Sequence, residues 1–208
     1  MRVFIAVIVL IFSLQSWTKA DDISDFEIEG FFVGKSLLDY YPQEKIMEEI
    51  NSGYSYTYPD KKFTILGLGY GNAFPLSLPQ KLKNYDELGI TIKNSDKNFK
   101  IYQISGEIYC KKNINICFKE EKKIVSDLKQ ILVKNVEFER AEFKHPGDPS
   151  GESMVYANSF YFQSTGDSIN AKVYEWGKKE KQDGSEDVLK VSITLKELLD
   201  YLSYVAFN

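Results

Sequence analysis

Few residue types in this chain suit chemistry, and the most individual of them lie in one loop. The segment His145–Gly151 reads His-Pro-Gly-Asp-Pro-Ser-Gly and contains the only histidine of the 208 residues. Its prolines and glycines fix a defined path, which suits the presentation of His145 and Asp148 to a ligand or a single metal ion. The alternative is a rigid surface connection with no chemical role.

A second candidate is the strand-like stretch 168–176. Alternation with a period of two puts its apolar residues on one face and Asn170, Lys172, Tyr174 and Trp176 on the other. Aromatic side chains such as Tyr174 and Trp176 that share a face with polar ones suit a carbohydrate or peptide surface. A second core layer beneath a helix explains the same pattern, so both interpretations stay open.

The two cysteines, Cys110 and Cys117, have six residues between them. In an exported protein such a pair is most simply a local disulfide. Redox pairs more often use the C-x-x-C spacing, and nothing around either cysteine resembles a cysteine protease. We therefore expect a structural disulfide.

Composition excludes several kinds of site. One histidine and two cysteines cannot supply a four-ligand Cys/His zinc site from one copy of the chain. The run 67–71, Gly-Leu-Gly-Tyr-Gly, lacks the G-x-G-x-x-G spacing and no helix signal follows it, which argues against a nucleotide site. No cofactor or metal site is predicted. The carboxylates are scattered, so a hydrolase would need an acid and a base that only the fold brings together.

The N-terminus has the form of a signal peptide. Met1 and Arg2 precede an apolar run, Val3–Leu14, that is shorter than the about 20 residues of a membrane span. Small residues at Thr18 and Ala20 predict cleavage after Ala20. The alternative is an uncleaved anchor. With residues 1–20 removed, the chain has 188 residues, and the loss of two basic residues and no acid changes the formal charge from −4 to −6.

This acidic balance bears on partners and location. A nucleic-acid binder needs a basic footprint, which the chain lacks. We expect a periplasmic or secreted protein with no transmembrane segment after cleavage. Its partner would be an envelope polymer, a peptide or another envelope protein, and the lysines near 178–190 offer a surface for anionic polymers.

The elements that must position these residues alternate between hairpins and helices. Strand patterns are predicted over 25–33, 54–58, 62–70, 88–93, 99–110, 153–163, 168–176 and 188–194. Helices are predicted over 43–50, from Cys117 to Leu132, and from Leu195 to Val205 behind a capping box, Thr194–Glu197. Residues 134–152 lack periodicity and are predicted to be irregular.

Strand pairs joined by short turns, with helices between groups of strands, predict an α+β fold. We expect antiparallel sheet built from hairpins with about three helices on one face. The loop 71–87 is the best boundary within the mature body 21–208, which would give subdomains of about 21–80 and 81–208.

Several stretches resemble a family of exported proteins from A+T-rich marine alphaproteobacteria. They are 25–30 (DFEIEG), 33–40 (VGKSLLDY), 147–153 (GDPSGES) and 174–176 (YEW). The resemblance implies export and a compact α+β body, and it carries no catalytic assignment. The start of the chain, with a strand, then Val33–Ser36 and then a helix, is also similar to the start of small outer-membrane assembly lipoproteins. The lipid-bearing cysteine of those proteins is missing here.

The sequence thus favours an exported, non-enzymatic binding or envelope-associated module. The alternative is a periplasmic hydrolase. A pocket that contains His145 or converging carboxylates would favour the hydrolase, and a shallow aromatic face at Trp176 would favour binding.

Overall fold

The computed structural model describes residues 22–70, 76–78, 81–132 and 135–206. The predicted signal peptide lies outside these residues. The strands are β1 Glu27–Ile28, β2 Phe31–Phe32, β3 Tyr56–Thr57, β4 Phe63–Tyr70, β5 Ser77–Leu78, β6 Glu87–Lys93, β7 Ile101–Tyr109, β8 Val136–Lys144, β9 Met154–Phe162, β10 Ser168–Glu175 and β11 Val188–Thr194. The helices are α1 Gln43–Ile50, α2 Ile114–Ile131, α3 Lys178–Gln182 and α4 Lys196–Tyr204.

The predicted α+β class is confirmed. Nine strands form one sheet in the order β3-β4-β6-β7-β11-β10-β9-β8, with the short β5 parallel to β4 and every other pairing antiparallel. β1 and β2 form a separate small ribbon. Strands from both sides of residue 80 share the large sheet, and a division into subdomains stays a prediction. None of the described helices is long and apolar enough to cross a membrane.

The sheet has two unlike faces. The first face carries the main core, in which Leu189, Val191 and Ile193 of β11 pack with buried residues of α1 and α2 such as Ile46 and Leu128. The second face carries the alternate residues of the same strands. There α4 packs Leu198 and Tyr201 against Phe63 and Tyr102, at the β4–β7 end of the sheet. The helices therefore divide between the two faces, where about three were expected on one face, and α4 packs at the β4–β7 end of the second face.

The beginning of α4 differs from its predicted capping box. Thr194 is buried and its hydroxyl accepts a hydrogen bond from Gln103 Nε2 at 2.8 Å, so it does not cap the helix. The backbone N–H of Lys196 instead donates to Asp167 Oδ1 at 2.7 Å. A residue 29 positions away thus satisfies a free donor of the first turn.

The predicted disulfide is present and joins the end of β7 to the first turns of α2. Cys110 and Cys117 are bonded, with Cα atoms 5.3 Å apart, and both are buried. Asn113, between them, caps α2 by accepting a hydrogen bond from the N–H of Asn115 at 3.1 Å. The described chain has no free cysteine.

The prediction that residues 134–152 are irregular is wrong over Val136–Lys144, which form β8. This strand pairs with β9 over nine positions and lies at the edge of the sheet. Most of its side chains are exposed on both faces. An edge strand of this kind needs no apolar alternation and is commonly charged, which hides it from a pattern based on burial.

Candidate functional site

The β9–β10–β11–β7 part of the second face is built from matching rows of side chains. Cross-strand partners in an antiparallel sheet lie on the same face. One row is Val155, Tyr174, Val188 and Tyr109; the next is Ala157, Lys172, Lys190 and Glu107; a third is Ser159, Asn170, Ser192 and Ser105. Aromatic, charged and small polar groups therefore follow one another down the sheet.

A cleft of about 580 Å³ opens on the first of these rows. The strands contribute Glu107, Tyr109, Tyr174, Val188 and Lys190 to its wall, and the flanking loops contribute His145, Trp176, Gly184, Ser185 and Glu186. We call this the aromatic cleft. Its volume lies within the range of about 300–1,000 Å³ that is usual for small-molecule sites.

Three of the candidate residues meet in the aromatic cleft. The Tyr174 and Trp176 rings have centroids 6.0 Å apart and planes only 19° from parallel. The His145 ring lies 4.7 Å from Trp176 and 5.8 Å from Tyr174, in tilted and edge-on contact respectively. Tyr174 near the end of β10, Trp176 directly after this strand and His145 from a distant loop thus form a continuous aromatic surface.

Hydrogen bonds from the loops hold this surface in place. The Trp176 backbone N–H donates to Asp187 Oδ1 at 2.8 Å, and the same carboxylate pairs with Lys181 through Oδ2 at 2.9 Å. The backbone N–H of His145 donates to the Ser153 carbonyl at 2.9 Å, and His145 Nδ1 accepts from the N–H of Gly147 at 3.1 Å. An accepting Nδ1 leaves Nε2 as the nitrogen that carries hydrogen in the neutral ring.

The fourth candidate, Asp148, does not line the aromatic cleft. It is buried within the 145–153 loop, where Oδ1 accepts from Ser150 N–H at 2.8 Å and Oδ2 accepts from Ser153 N–H at 2.7 Å. Hydrogen bonding to the side chains of Ser150 and then Ser153, and after them to the backbone N–H groups of the same residues, holds the pKa of the Asp148 carboxyl well below its usual range. Ser153 Oγ in turn accepts from Gly177 N–H at 2.8 Å, which ties the loop to the residue that follows Trp176.

Burial sets the protonation of the groups on this face. It raises the pKa of Tyr174 to about 12, with the Glu107 carboxylate as a second cause, so the phenol stays protonated and can donate a hydrogen bond. Burial also lowers the pKa of Lys172, and the positive charge of Lys190 lowers it further. Lys190 itself forms an ion pair with Glu107, with Nζ and Oε1 2.9 Å apart.

Sequence reasoning missed Glu107 and Tyr109, and it included Lys190 and the 184–186 loop only through the lysines near 178–190, with no connection to Tyr174 and Trp176. Alternation put Lys172 on the face of Tyr174 and Trp176, as found, but no signal connected that face with β7. The pairing of β7 with β11 joins segments about 80 residues apart, and such non-local pairing has no local sequence signature.

Comparisons of the chain with protein-family models, curated proteins and solved structures find no match. The resemblance to exported alphaproteobacterial proteins therefore stays a prediction. Among the described residues, no group of three or more His, Cys, Asp or Glu side chains is arranged to hold a metal ion. The fold and the cleft together define an α+β sheet protein with an aromatic site on one sheet face.

Proposed function

We propose that this chain is an exported binding protein that holds a saccharide in the aromatic cleft. The observation that carries the proposal is the near-parallel pair of Tyr174 and Trp176 rings on the cleft wall. Aromatic faces carry negative charge density, which attracts the polarised C–H groups of a sugar ring, and their flat shape fits it. Glu107, Glu186 and Lys190 beside them offer hydrogen bonds to hydroxyl groups.

Calorimetric titration of the purified chain with neutral and acidic oligosaccharides tests this proposal. Replacement of Trp176 by alanine removes half of the aromatic pair, and we expect it to weaken binding at least about tenfold, on the scale of an aromatic hot spot. Tyr204→Ala is the matched control, because Tyr204 is an exposed aromatic residue at the end of α4.

The control should bind as the unaltered protein does. Equal affinities of the Trp176→Ala variant and the unaltered protein would contradict the proposal. So would a chain that binds unstructured peptides in this cleft and no saccharide.

The position of His145 on the cleft wall favours hydrolysis as a second candidate. General acid–base catalysis needs a base oriented by a partner and within reach of the reacting group. In the described part of the chain, His145 accepts only from its own loop and Glu107 is paired with Lys190. Binding is therefore better supported. Cleavage of the bound oligosaccharides, detected by chromatography, would instead favour hydrolysis over binding alone.

Export is part of the proposal and concerns residues 1–20. The disulfide between Cys110 and Cys117 supports it, since disulfides persist in oxidising compartments. We expect protein recovered outside the cytoplasm to begin at Asp21 and to show no free thiol on titration. Recovery with Met1 retained would instead indicate an uncleaved anchor, and two free thiols would contradict an oxidising location.

A further inference from the structure

Lys172 lies in the middle of β10 on the second face, next to the aromatic cleft. Its side chain is half-buried, yet in the described residues it makes no ion pair and no hydrogen bond. Other partly buried lysines on this sheet form ion pairs, Lys190 with Glu107 and Lys93 with Glu197. A half-buried ammonium without a partner is costly, because it loses water and gains no replacement.

The sheet register accounts for the missing partner. Lys172 lies directly opposite Lys190 on β11 and directly opposite the uncharged Ala157 on β9. Its neighbours along the same face of β10 are Asn170 and Tyr174. Like charges at directly opposed positions are destabilising, and the Glu107 carboxylate in the same row is already paired with Lys190. Glu107 is thus taken by Lys190, and the Lys172 ammonium group is left without a counterion in the described residues.

This positive charge is within reach of the aromatic pair. Tyr174 follows Lys172 by two residues on one face, a separation of about 7 Å along the strand. Tyr174 and Lys172 project from the same face, so the acidic group of a saccharide stacked on the Tyr174–Trp176 rings can span that distance to Lys172.

We propose that the ligand of the aromatic cleft is an anionic saccharide whose acidic group is bound by Lys172. The sugar ring stacks on Tyr174 and Trp176, and its carboxylate or sulfate accepts a hydrogen bond from Lys172 Nζ. This inference rests on the proposed function and adds the charge of the ligand to it. The low pKa of Lys172 agrees with an ammonium group that lacks a counterion in the free protein.

The test compares probes that differ only in charge. Oligogalacturonate, oligomannuronate and a glucuronate oligosaccharide are each titrated calorimetrically beside their methyl esters, and a sulfated oligosaccharide is titrated as a separate arm. We expect at least one acid to bind about tenfold to a hundredfold more tightly than its uncharged counterpart, the range of a charge-assisted hydrogen bond. Whether the preferred acid is a uronate or a sulfate identifies the anionic group.

Two substitutions of Lys172, with one control at Lys119, test whether the preference for the acid depends on Lys172. Lys172→Met keeps the apolar stem and removes the charge, so it should lose the preference for the acid while keeping affinity for the ester. Lys119→Met is the matched control, with the same change of net charge on an exposed position of α2, the helix on the first face. Lys172→Arg retains a cation and should retain most of the preference, which guards against a variant that merely fails to fold.

The outcomes separate the two proposals. If acids and esters bind equally, or if Lys172→Met retains the preference, the inference is wrong. Loss of binding in Trp176→Ala would still support the cleft as a saccharide site in that case. If no saccharide of either charge binds, the proposed function fails and the inference fails with it.

Discussion

Asp148 shows how a residue that looks like a ligand group can serve the loop instead. Its two carboxylate oxygens accept from two backbone N–H groups of the same loop, and the residue is buried. Because Ser153 also binds Gly177, the carboxylate helps to fix both His145 and Trp176 at the cleft. Its role in the cleft is therefore one of positioning.

Replacement of Asp148 by asparagine should lower the thermal stability near neutral pH. An amide can accept through only one atom, so one buried N–H loses its partner. The pKa of Asp148 is lower in the folded chain than in the unfolded one, so its stabilising contribution is present above the unfolded value, about 3.9, and is lost as the pH falls toward the folded value.

Thermal melts between pH 2 and pH 7 measure this effect. The difference between the original chain and Asp148→Asn should be greatest above about pH 4 and should shrink as the solution is acidified. Asp25→Asn, at an exposed position, is the control and should change the melting temperature little at any pH. A difference for Asp148→Asn that does not vary with pH would contradict the assignment.

At the level of elements, burial decides what the sequence could predict. β10 and β11 have one face in the core, so their apolar alternation gave the correct strands and put Lys172 with Tyr174. β8 is exposed on both faces and was missed for that reason. The cap of α4 was also missed, because Asp167 reaches Lys196 through the fold and not through neighbouring sequence.

The close packing of Tyr85 on β7 gives a prediction at this scale. A Cβ atom on Gly106 would lie 2.4 Å from Tyr85 Cδ1, too close for any side chain, so we expect Gly106→Ala to destabilise the fold by about 1–3 kcal/mol or more. Gly53→Ala is the control, since a Cβ there meets no atom within 4 Å.

The energetic coupling between Gly106 and Tyr85 is measured by chemical denaturation of Gly106→Ala, Tyr85→Leu and the double variant that carries both changes. The smaller, flexible leucine should restore part of the lost stability, which appears as a non-additive double-mutant cycle. Strict additivity would mean that the ring and the glycine do not compete for the same space.

On the scale of the whole molecule, the two faces of the large sheet carry different structures. The first face holds the main core under α1 and α2, and the second face holds α4 at one end and the aromatic cleft at the other. Tyr174 and Trp176 could be placed on one face from their spacing alone. His145 could not be joined to them because β8, which leads into its loop, has no apolar alternation, and Glu107 could not because it requires the non-local pairing of β7 with β11.

We propose that a saccharide binds on the second face at Trp176. This proposal is tested most directly by an amide and indole NMR titration of the isotopically labelled chain from Asp21 onward, in which Trp176 is the only tryptophan. Added acidic oligosaccharide should shift the Trp176 indole signal and the amides around Tyr174, Lys172 and Lys190, and leave those of α1 and α2 unchanged. Shifts confined to the first face, or none at saturating saccharide, would contradict the account.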